Sequence, residues 1–304
     1  VPNRKDFSMA DVSEQRNPSD RTESRGDVSG QSASPAAVGA GHAAAVQPVT
    51  GQTLVHTDDA GLVAGWVQLD APGLSLPAYR AAPAGRSNLP VVLVISEIFG
   101  VHEHIADVAR RLAHLGYLAI APELFVRQGE PATYTDIPTL LREVVYQAPD
   151  AQVMADLDAV LAWAATQGGD LDRLGVTGFC WGGRMTWLYA AHQPRLRAGV
   201  AWYGRLVGPR TALAPRQAVD VAGELKAPVL GLYGGQDSGI PLESVEQMKA
   251  ALAAGSEPAR ASSFVVYPQA GHAFHADYRP QFDAAAAQDG WQRAVGWLAQ
   301  HGVA

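Results

Sequence analysis

One cysteine, Cys180, stands in a chain of 304 residues. Without a second thiol there is no internal disulfide, and a cysteine-rich metal site is excluded as well. Charge is also sparse: Asp, Glu, Lys and Arg make up 17% of the residues, with a formal net charge of −7. A chain with no basic excess offers no face to a phosphate backbone, so nucleic acid is not an expected partner. Long apolar runs are missing too. None approaches the roughly 20 residues of a bilayer-spanning helix, so a soluble protein with no membrane partner is expected. What is plentiful is hydrophobic residues, 47% of the chain, enough for one large α/β core or two small ones.

Residues 1–50 differ from the rest. Ser, Asp, Gly, Arg and Ala dominate, large apolar side chains are few before Val46, and five basic residues face six acidic ones. Such a segment cannot bury enough apolar surface to offset its ordering entropy, so a disordered tail is expected here and a single domain over 51–304. Arg4-Lys5-Asp6-Phe7 has the form of a degenerate twin-arginine signal, with Ala43 to Val49 as its small-residue end. The apolar segment that should lie between them is absent. A cytoplasmic location is the expectation and export to the periplasm the alternative.

From Gly61 the pattern alternates through Leu62, Ala64 and Trp66, then through Leu74, Leu76 and Ala78, which predicts two antiparallel strands joined at Pro72-Gly73. Leu89 to Ile95 is a continuous apolar run, as in a strand buried on both faces. Helical periodicity follows from His102 to Leu112, a strand over Tyr117 to Ala121, a mixed cap-like stretch over 132–149 and a helix over 150–166. Further strands are predicted at 174–177, 198–203, 229–233 and 263–267, with helices after residue 183 and over 242–252 and 283–301. Strand and helix alternate from 89 to 301, which predicts an α/β fold with a doubly wound, mostly parallel sheet and flanking helices.

Within that order, Gly178-Phe179-Cys180-Trp181-Gly182-Gly183 reads as strand, sharp turn and helix. It is G-x-S-x-G with cysteine for serine, the nucleophile elbow, in which glycines two before and two after let strand and helix approach closely. Taken alone, Cys180 could equally be a buried structural cysteine. Three more polar residues fall at strand ends: Glu97, Asp237 in Gly234-Gly235-Gln236-Asp237, and His272 in Ala270-Gly271-His272. Asp237 alone fits a turn and Glu97 a strand-end cap. Together with Cys180, however, they give the chain order nucleophile, acid, histidine, which is that of the α/β-hydrolase triad. His102-Glu103-His104 is not a metal motif, since i, i+2 spacing does not put two ligands on one helix face. Solvated polar residues at the start of a helix are expected there, and no cofactor or metal.

With Ser96-Glu97-Ile98-Phe99-Gly100 added to the elbow, the Asp237 turn and the His272 motif, the stretch from Gly61 to Leu298 resembles the dienelactone hydrolases, or carboxymethylenebutenolidases, of the α/β-hydrolase superfamily. The resemblance implies Cys180, Asp237 and His272 as a triad and Glu97 as a fourth carboxylate contacting a thiol that is neutral at rest. It also implies an oxyanion hole from the backbone N–H groups of Ile98 and Trp181, and opening of an enol lactone through a thioester. Members of the family grip a substrate carboxylate with arginines. Arg142 and Arg279 are the candidates for that role, with Tyr146 as a further substrate-binding candidate, and Arg184 and Arg205 lie near the elbow in sequence. The expected partner is therefore a small anionic ester or lactone, handled by a monomer or small homo-oligomer. A broader esterase acting on activated esters is the alternative substrate range. A thiol-redox or binding protein is the alternative class, although one cysteine leaves no resolving partner.

Overall fold

The computed structural model describes residues 43–304. Eight strands form one sheet: β1 (Leu62–Ala71), β2 (Leu74–Pro83), β3 (Leu89–Ile95), β4 (Leu118–Pro122), β5 (Gly169–Phe179), β6 (Leu196–Trp202), β7 (Val229–Gly234) and β8 (Ser263–Tyr267). Their order is β1-β2-β4-β3-β5-β6-β7-β8. The first two form the hairpin expected at Pro72-Gly73, and β2 also runs antiparallel to β4. Every pairing from β4 through to β8 is parallel. In β3, β4 and β7 every residue is buried, which is why those runs carry no polar alternation.

Among the described residues eight α-helices connect and flank the strands: α1 (Glu103–His114), α2 (Ile137–Glu143), α3 (Asp150–Thr166), α4 (Trp181–His192), α5 (Ala218–Val221), α6 (Leu242–Ala253), α7 (Glu257–Arg260) and α8 (Ala284–Gln300). The short helices α5 and α7, one turn each, carry too little periodicity to be read from sequence. The chain leaves β3 toward β4 on one side and leaves β5 toward β6 on the other, so the order reverses between β3 and β5. In open α/β sheets that reversal opens a crevice beyond the C-terminal strand ends. Glu97 follows β3 and Cys180 follows β5, on either side of it.

The expected tail over 1–50 falls into two parts. Residues 1–42 lie outside the described residues. Residues 43–57 form a strap against the rest of the described chain. Ala43 and Val46 are buried, Ala45 N–H donates to Tyr134 O at 2.9 Å, and Thr50 N–H donates to Tyr278 O at 2.9 Å. Farther along, Val55 N–H donates to Asp277 Oδ2 at 3.0 Å. Low hydrophobicity masks this strap in the sequence because backbone hydrogen bonds, rather than large side chains, hold most of it.

Arg184, a candidate near the elbow, belongs to the scaffold. Its guanidinium makes a fork to Asp150 at 2.7 and 2.8 Å and also donates to Gln217 Oε1 at 2.9 Å. The Arg184 and Asp150 side chains are only 9% and 12% exposed, so the pair ties α4 to the start of α3 in a poorly solvated place. Removing one partner leaves the other charge buried. We expect Asp150→Ala to lower stability by about 3 kcal/mol, measured by urea denaturation. A loss below about 0.5 kcal/mol, typical of a surface pair, would contradict this account.

Candidate active site

The sequence places Gly178 and Gly182 around Cys180, and the geometry shows why nothing larger fits. A Cβ on Gly178 would lie 2.2 Å from Gly182 O, and one on Gly182 would lie 2.3 Å from Ile95 O. Cys180 itself has φ 55° and ψ −112°, outside the regions that L-residues prefer, and it is the N-cap of α4. Such strain persists only where the surroundings hold it, and it collects at functional sites. Among the described residues four non-glycines have positive φ: Asn88, Cys180, Tyr203 and Ala273. The last two follow β6 and His272, so three of the four converge on one place. Cys180 stands at the N-terminus of α4, the end of a helix that carries partial positive charge. Trp181 opens the helix, so its N–H is among those with no intrahelical acceptor.

Asp237 and His272 are brought together by two tied loops. Gly235 N–H donates to Tyr267 O at 2.8 Å and Gln236 N–H to Ala270 O at 2.9 Å, which sets the turn after β7 beside the one after β8. His272 Nδ1 then meets Asp237 Oδ2 at 2.6 Å, while Asp237 Oδ1 accepts from Gly239 N–H at 2.9 Å. Asp237 is buried, whereas the His272 side chain keeps 37% of its surface exposed. Burial works against charge on His272, but a deprotonated Cys180 sulfur and the Asp237 bond outweigh it and push the imidazole up to about 10, so the ring holds the proton once the thiol has given it up. With Nδ1 taken by Asp237, the ring's other nitrogen is the one left for Cys180, whose side chain also acts on the imidazole.

Glu97 has company that the sequence did not suggest. Its Oε1 accepts from the Tyr278 hydroxyl at 3.0 Å, and its Oε2 pairs with His102 Nε2 at 3.1 Å. Burial raises its pKa, but the charge and hydrogen bond of His102, then the charge of His104, more than offset this and hold it at about 2. Glu97 is therefore a buried anion. His102 and His104, expected as solvated residues, are 1% and 2% exposed. That expectation is corrected by the loop before α8, which covers the start of α1: the His102 ring meets the Tyr278 ring at 4.8 Å, and His104 Nδ1 pairs with Asp277 Oδ1 at 2.9 Å. No local pattern announces a contact across more than 170 residues.

The remaining candidates separate by their partners. Arg142 is exposed and donates to its neighbours Glu143 and Thr139, and Tyr146 is 57% exposed. No hydrogen bond or ring contact joins either to Cys180, Asp237 or His272. Arg205 is exposed beside a cleft of about 300 Å³ that reaches Gly239 and Ile240 after Asp237. Arg279 is half-buried, stacks 5.7 Å over the Phe99 ring, and its Nε is buried with no hydrogen-bond partner in the protein. No carboxylate pairs with it among the described residues, and its positive charge acts on the Tyr203 and Tyr278 hydroxyls. Ile98 follows Glu97 and is buried at the crevice. Among the described residues the one cluster with ligand atoms close enough for a metal is His56, Glu103 and Asp107. Arg110 and Arg111 already neutralise those carboxylates, which disfavours a cation there.

The chain as a whole corresponds to a known family. The family model described as the Dienelactone hydrolase family matches residues 76–302. The chain belongs to the dienelactone hydrolase family. It is 59% identical over 265 residues to a protein of Methylorubrum extorquens provisionally named a carboxymethylenebutenolidase, with 87% of this chain and 90% of that one covered. A protein of Escherichia coli K12 with the same provisional name is 56% identical over 263 residues, covering 86% and 96%. A crystal structure from Klebsiella pneumoniae, provisionally titled a dienelactone hydrolase, superposes with a TM-score of 0.76 at 56% identity, covering 79% of this chain and 99% of that one. The fold extends to a cold-adapted esterase from an Arctic metagenomic library at 20% identity, with a TM-score of 0.63 and coverage of 81% and 96%. As a dienelactone hydrolase family member the protein is a carboxylic ester hydrolase with an α/β-hydrolase fold. No helix among the described residues is long and apolar enough to cross a membrane.

One further carboxyl in this dienelactone hydrolase fold was not legible in the sequence. Glu123, just after β4, is buried and accepts from Val101 N–H at 2.8 Å through Oε2, while its Oε1 has no hydrogen-bond partner in the protein. It lies where a Cβ on Gly100 would be, 2.7 Å away, and so supports the loop that carries Glu97 and Ile98. Burial, only partly offset by hydrogen bonds from Val101 and Phe125, pushes it up to about 7. A raised carboxyl pKa means that the native state holds a proton the unfolded chain releases near pH 4.5. Its contribution to stability is complete below that value and is lost as the pH rises toward 7. Glu123→Gln is neutral throughout, so its stability relative to the parent should rise by roughly 3 kcal/mol between pH 4 and pH 8. Urea denaturation at both pH values checks this, and a pH-independent difference would contradict it.

Proposed function

We propose that the protein opens small anionic enol lactones through a thioester on Cys180. The observation that carries this is the 2.6 Å Asp237–His272 bond set beside a thiol on a strained elbow. Asp237 fixes the imidazole with Nδ1 protonated and stabilises its cation. The thiol proton passes to His272 Nε2, and the sulfur attacks the lactone carbonyl. The negative oxygen of the tetrahedral intermediate is received by the backbone N–H groups of Ile98 and Trp181. The ring C–O bond then breaks, and the enolate takes the proton from His272. Water next gives a proton to His272 and attacks the thioester; the C–S bond breaks, releasing the acid, and the sulfur takes its proton back from His272. A thiolate is expelled from the tetrahedral intermediate more readily than an alkoxide or amine. Acylation is therefore favoured by an activated leaving group, and an enolate suits it better than an alkoxide or amine does.

Arg279 is the proposed clamp for the substrate carboxylate. It is half-buried, has no carboxylate partner among the described residues and stands over Phe99 in the loop after β3. Arg142 does not share those properties, since Glu143 already pairs with it in the open.

Two predictions follow from these roles. Cys180→Ala should abolish turnover of cis- and trans-dienelactone, and Asp237→Asn should lower kcat by a factor in the range of about 10² to 10⁴; stopped assays at neutral pH measure both, and full activity in Cys180→Ala would sink the assigned nucleophile. Arg279→Ala should raise KM for the anionic lactone by about tenfold or more while leaving p-nitrophenyl acetate nearly unaffected. Equal effects on the charged and neutral substrates would remove Arg279 from the clamp.

A further inference from the structure

The strap over 43–57 buries little apolar surface. Ala43 and Val46 are its buried residues, while Leu54 and Val55 are each 45% exposed, so the hydrophobic gain from laying it down is small. Its polar contacts are more pointed, because three of them fall on two neighbouring residues of the loop before α8. Thr50 N–H donates to Tyr278 O at 2.9 Å, the Thr53 hydroxyl donates to Asp277 O across 224 residues of sequence, and Val55 N–H donates to Asp277 Oδ2 at 3.0 Å. Thr53 Oγ1 is also 3.1 Å from Thr50 O, which closes the turn that presents these donors. The hydroxyl of Thr53 is half-way along that turn, on a half-buried residue.

The two carbonyls that the strap holds belong to the successive peptides leading into Arg279. The second of these peptides is held at both ends: its carbonyl, Tyr278 O, accepts from Thr50, and its N–H, that of Arg279, donates to Ala276 O at 2.9 Å. Its plane fixes the direction in which the Arg279 side chain leaves the backbone. On the other side of the loop the Tyr278 hydroxyl donates to Glu97 Oε1 at 3.0 Å, and the Arg279 guanidinium stands 5.7 Å over the Phe99 ring with its Nε buried and without a hydrogen-bond partner in the protein. Arginine loses much rotamer freedom when it is held in one place, and this one has no carboxylate among the described residues to hold it. Its aim comes from the ring against it and the backbone beneath it. His104 and Arg111 also bond to this loop, but through the Asp277 carboxylate rather than through the peptides that follow.

We propose that Thr53 is a positioning residue for substrate selection: its hydroxyl holds the peptides before Arg279 so that the guanidinium is aimed in advance at the carboxylate of an anionic substrate. The inference rests on Arg279 being the clamp. A cation already held in its binding geometry loses less freedom when the substrate arrives, so the same contact gives tighter binding. The strap thereby contributes to the recognition of charge without touching the substrate. Loss of the Thr53 bond therefore weakens the binding of a charged substrate and leaves the chemistry at Cys180 in place.

The test measures kcat and KM on cis-dienelactone and on p-nitrophenyl acetate for the parent, Thr53→Val, Thr53→Ala, Thr53→Ser, Arg279→Ala and the double variant of Thr53→Val with Arg279→Ala. Valine keeps the shape and removes the hydroxyl, alanine removes it without adding a methyl, and serine retains it. Thr53→Val and Thr53→Ala should each raise KM for the dienelactone by about three- to tenfold, the worth of one hydrogen bond, with kcat and the neutral ester nearly unchanged. Thr53→Ser should match the parent. The double variant should bind the dienelactone no worse than Arg279→Ala alone, because a positioning residue acts through the group it positions. Parent-like KM in both hydroxyl-free variants, or a rise that is equal on the two substrates or adds in full to that of Arg279→Ala, would overturn this inference while leaving the clamp intact. Failure of both hydroxyl-free variants to fold would overturn it too, since Thr53 would then be a structural residue. An Arg279→Ala variant with no selective rise in KM would instead remove the clamp on which the inference rests.

Discussion

How closely two backbones cross at the elbow determines where every reacting group stands. Gly178, Gly182 and Gly183 each sit where a Cβ would press into neighbouring backbone, at 2.2 Å from Gly182 O, 2.3 Å from Ile95 O and 2.5 Å from Trp202 O. The last two contacts reach different strands. One bears on the end of β3, which leads into Glu97 and Ile98, and the other on the end of β6, which leads into Tyr203. A single substitution by alanine would therefore displace the thiol relative to the loop of Glu97 and Ile98 and relative to Tyr203. The strain at Cys180 and Tyr203 is the conformational cost of that convergence.

Around this crossing, charges are kept ionised by partners rather than by water. Glu97 is held anionic by His102 and Tyr278, and Asp277 is held by His104, Arg111 and the strap through Val55. His275, packed among Trp202, Phe179 and Trp291, is driven well below the ordinary histidine range by burial and then by the charges of His104 and Arg111, so it stays neutral. The result is a polar layer beneath the site in which each charge depends on another. Buried polar networks of this kind specify one arrangement when they are satisfied and are costly when one member is lost.

Much of this was legible in the sequence where the signal is local. The Gly178–Gly182 spacing carries the elbow, the apolar run at 89–95 carries the central strand, and the turns at Asp237 and His272 fall at strand ends, where an open α/β sheet puts its working groups. The parts that were not legible depend on contacts between distant segments. His102 and His104 follow a pattern that is solvated in most helices, and only the loop at 275–278 buries them. The strap over 43–57 is composed like a tail but bonds through its backbone. Glu123 shows nothing unusual as a letter, since its significance lies in an oxygen with no partner. Arg184 and Arg279 are alike in sequence, and only Asp150 beside the first shows that one belongs to the scaffold.

The central claim is that Cys180 carries the acyl group. Acid-quenched turnover of a dienelactone, followed by intact-protein mass spectrometry and peptide mapping, tests it most directly, ideally in Asp237→Asn, where deacylation is slowed. The account predicts a transient adduct of the lactone's full mass, labile to hydroxylamine, on the peptide containing Cys180. Turnover with no such adduct, or an adduct on any other residue, would contradict it.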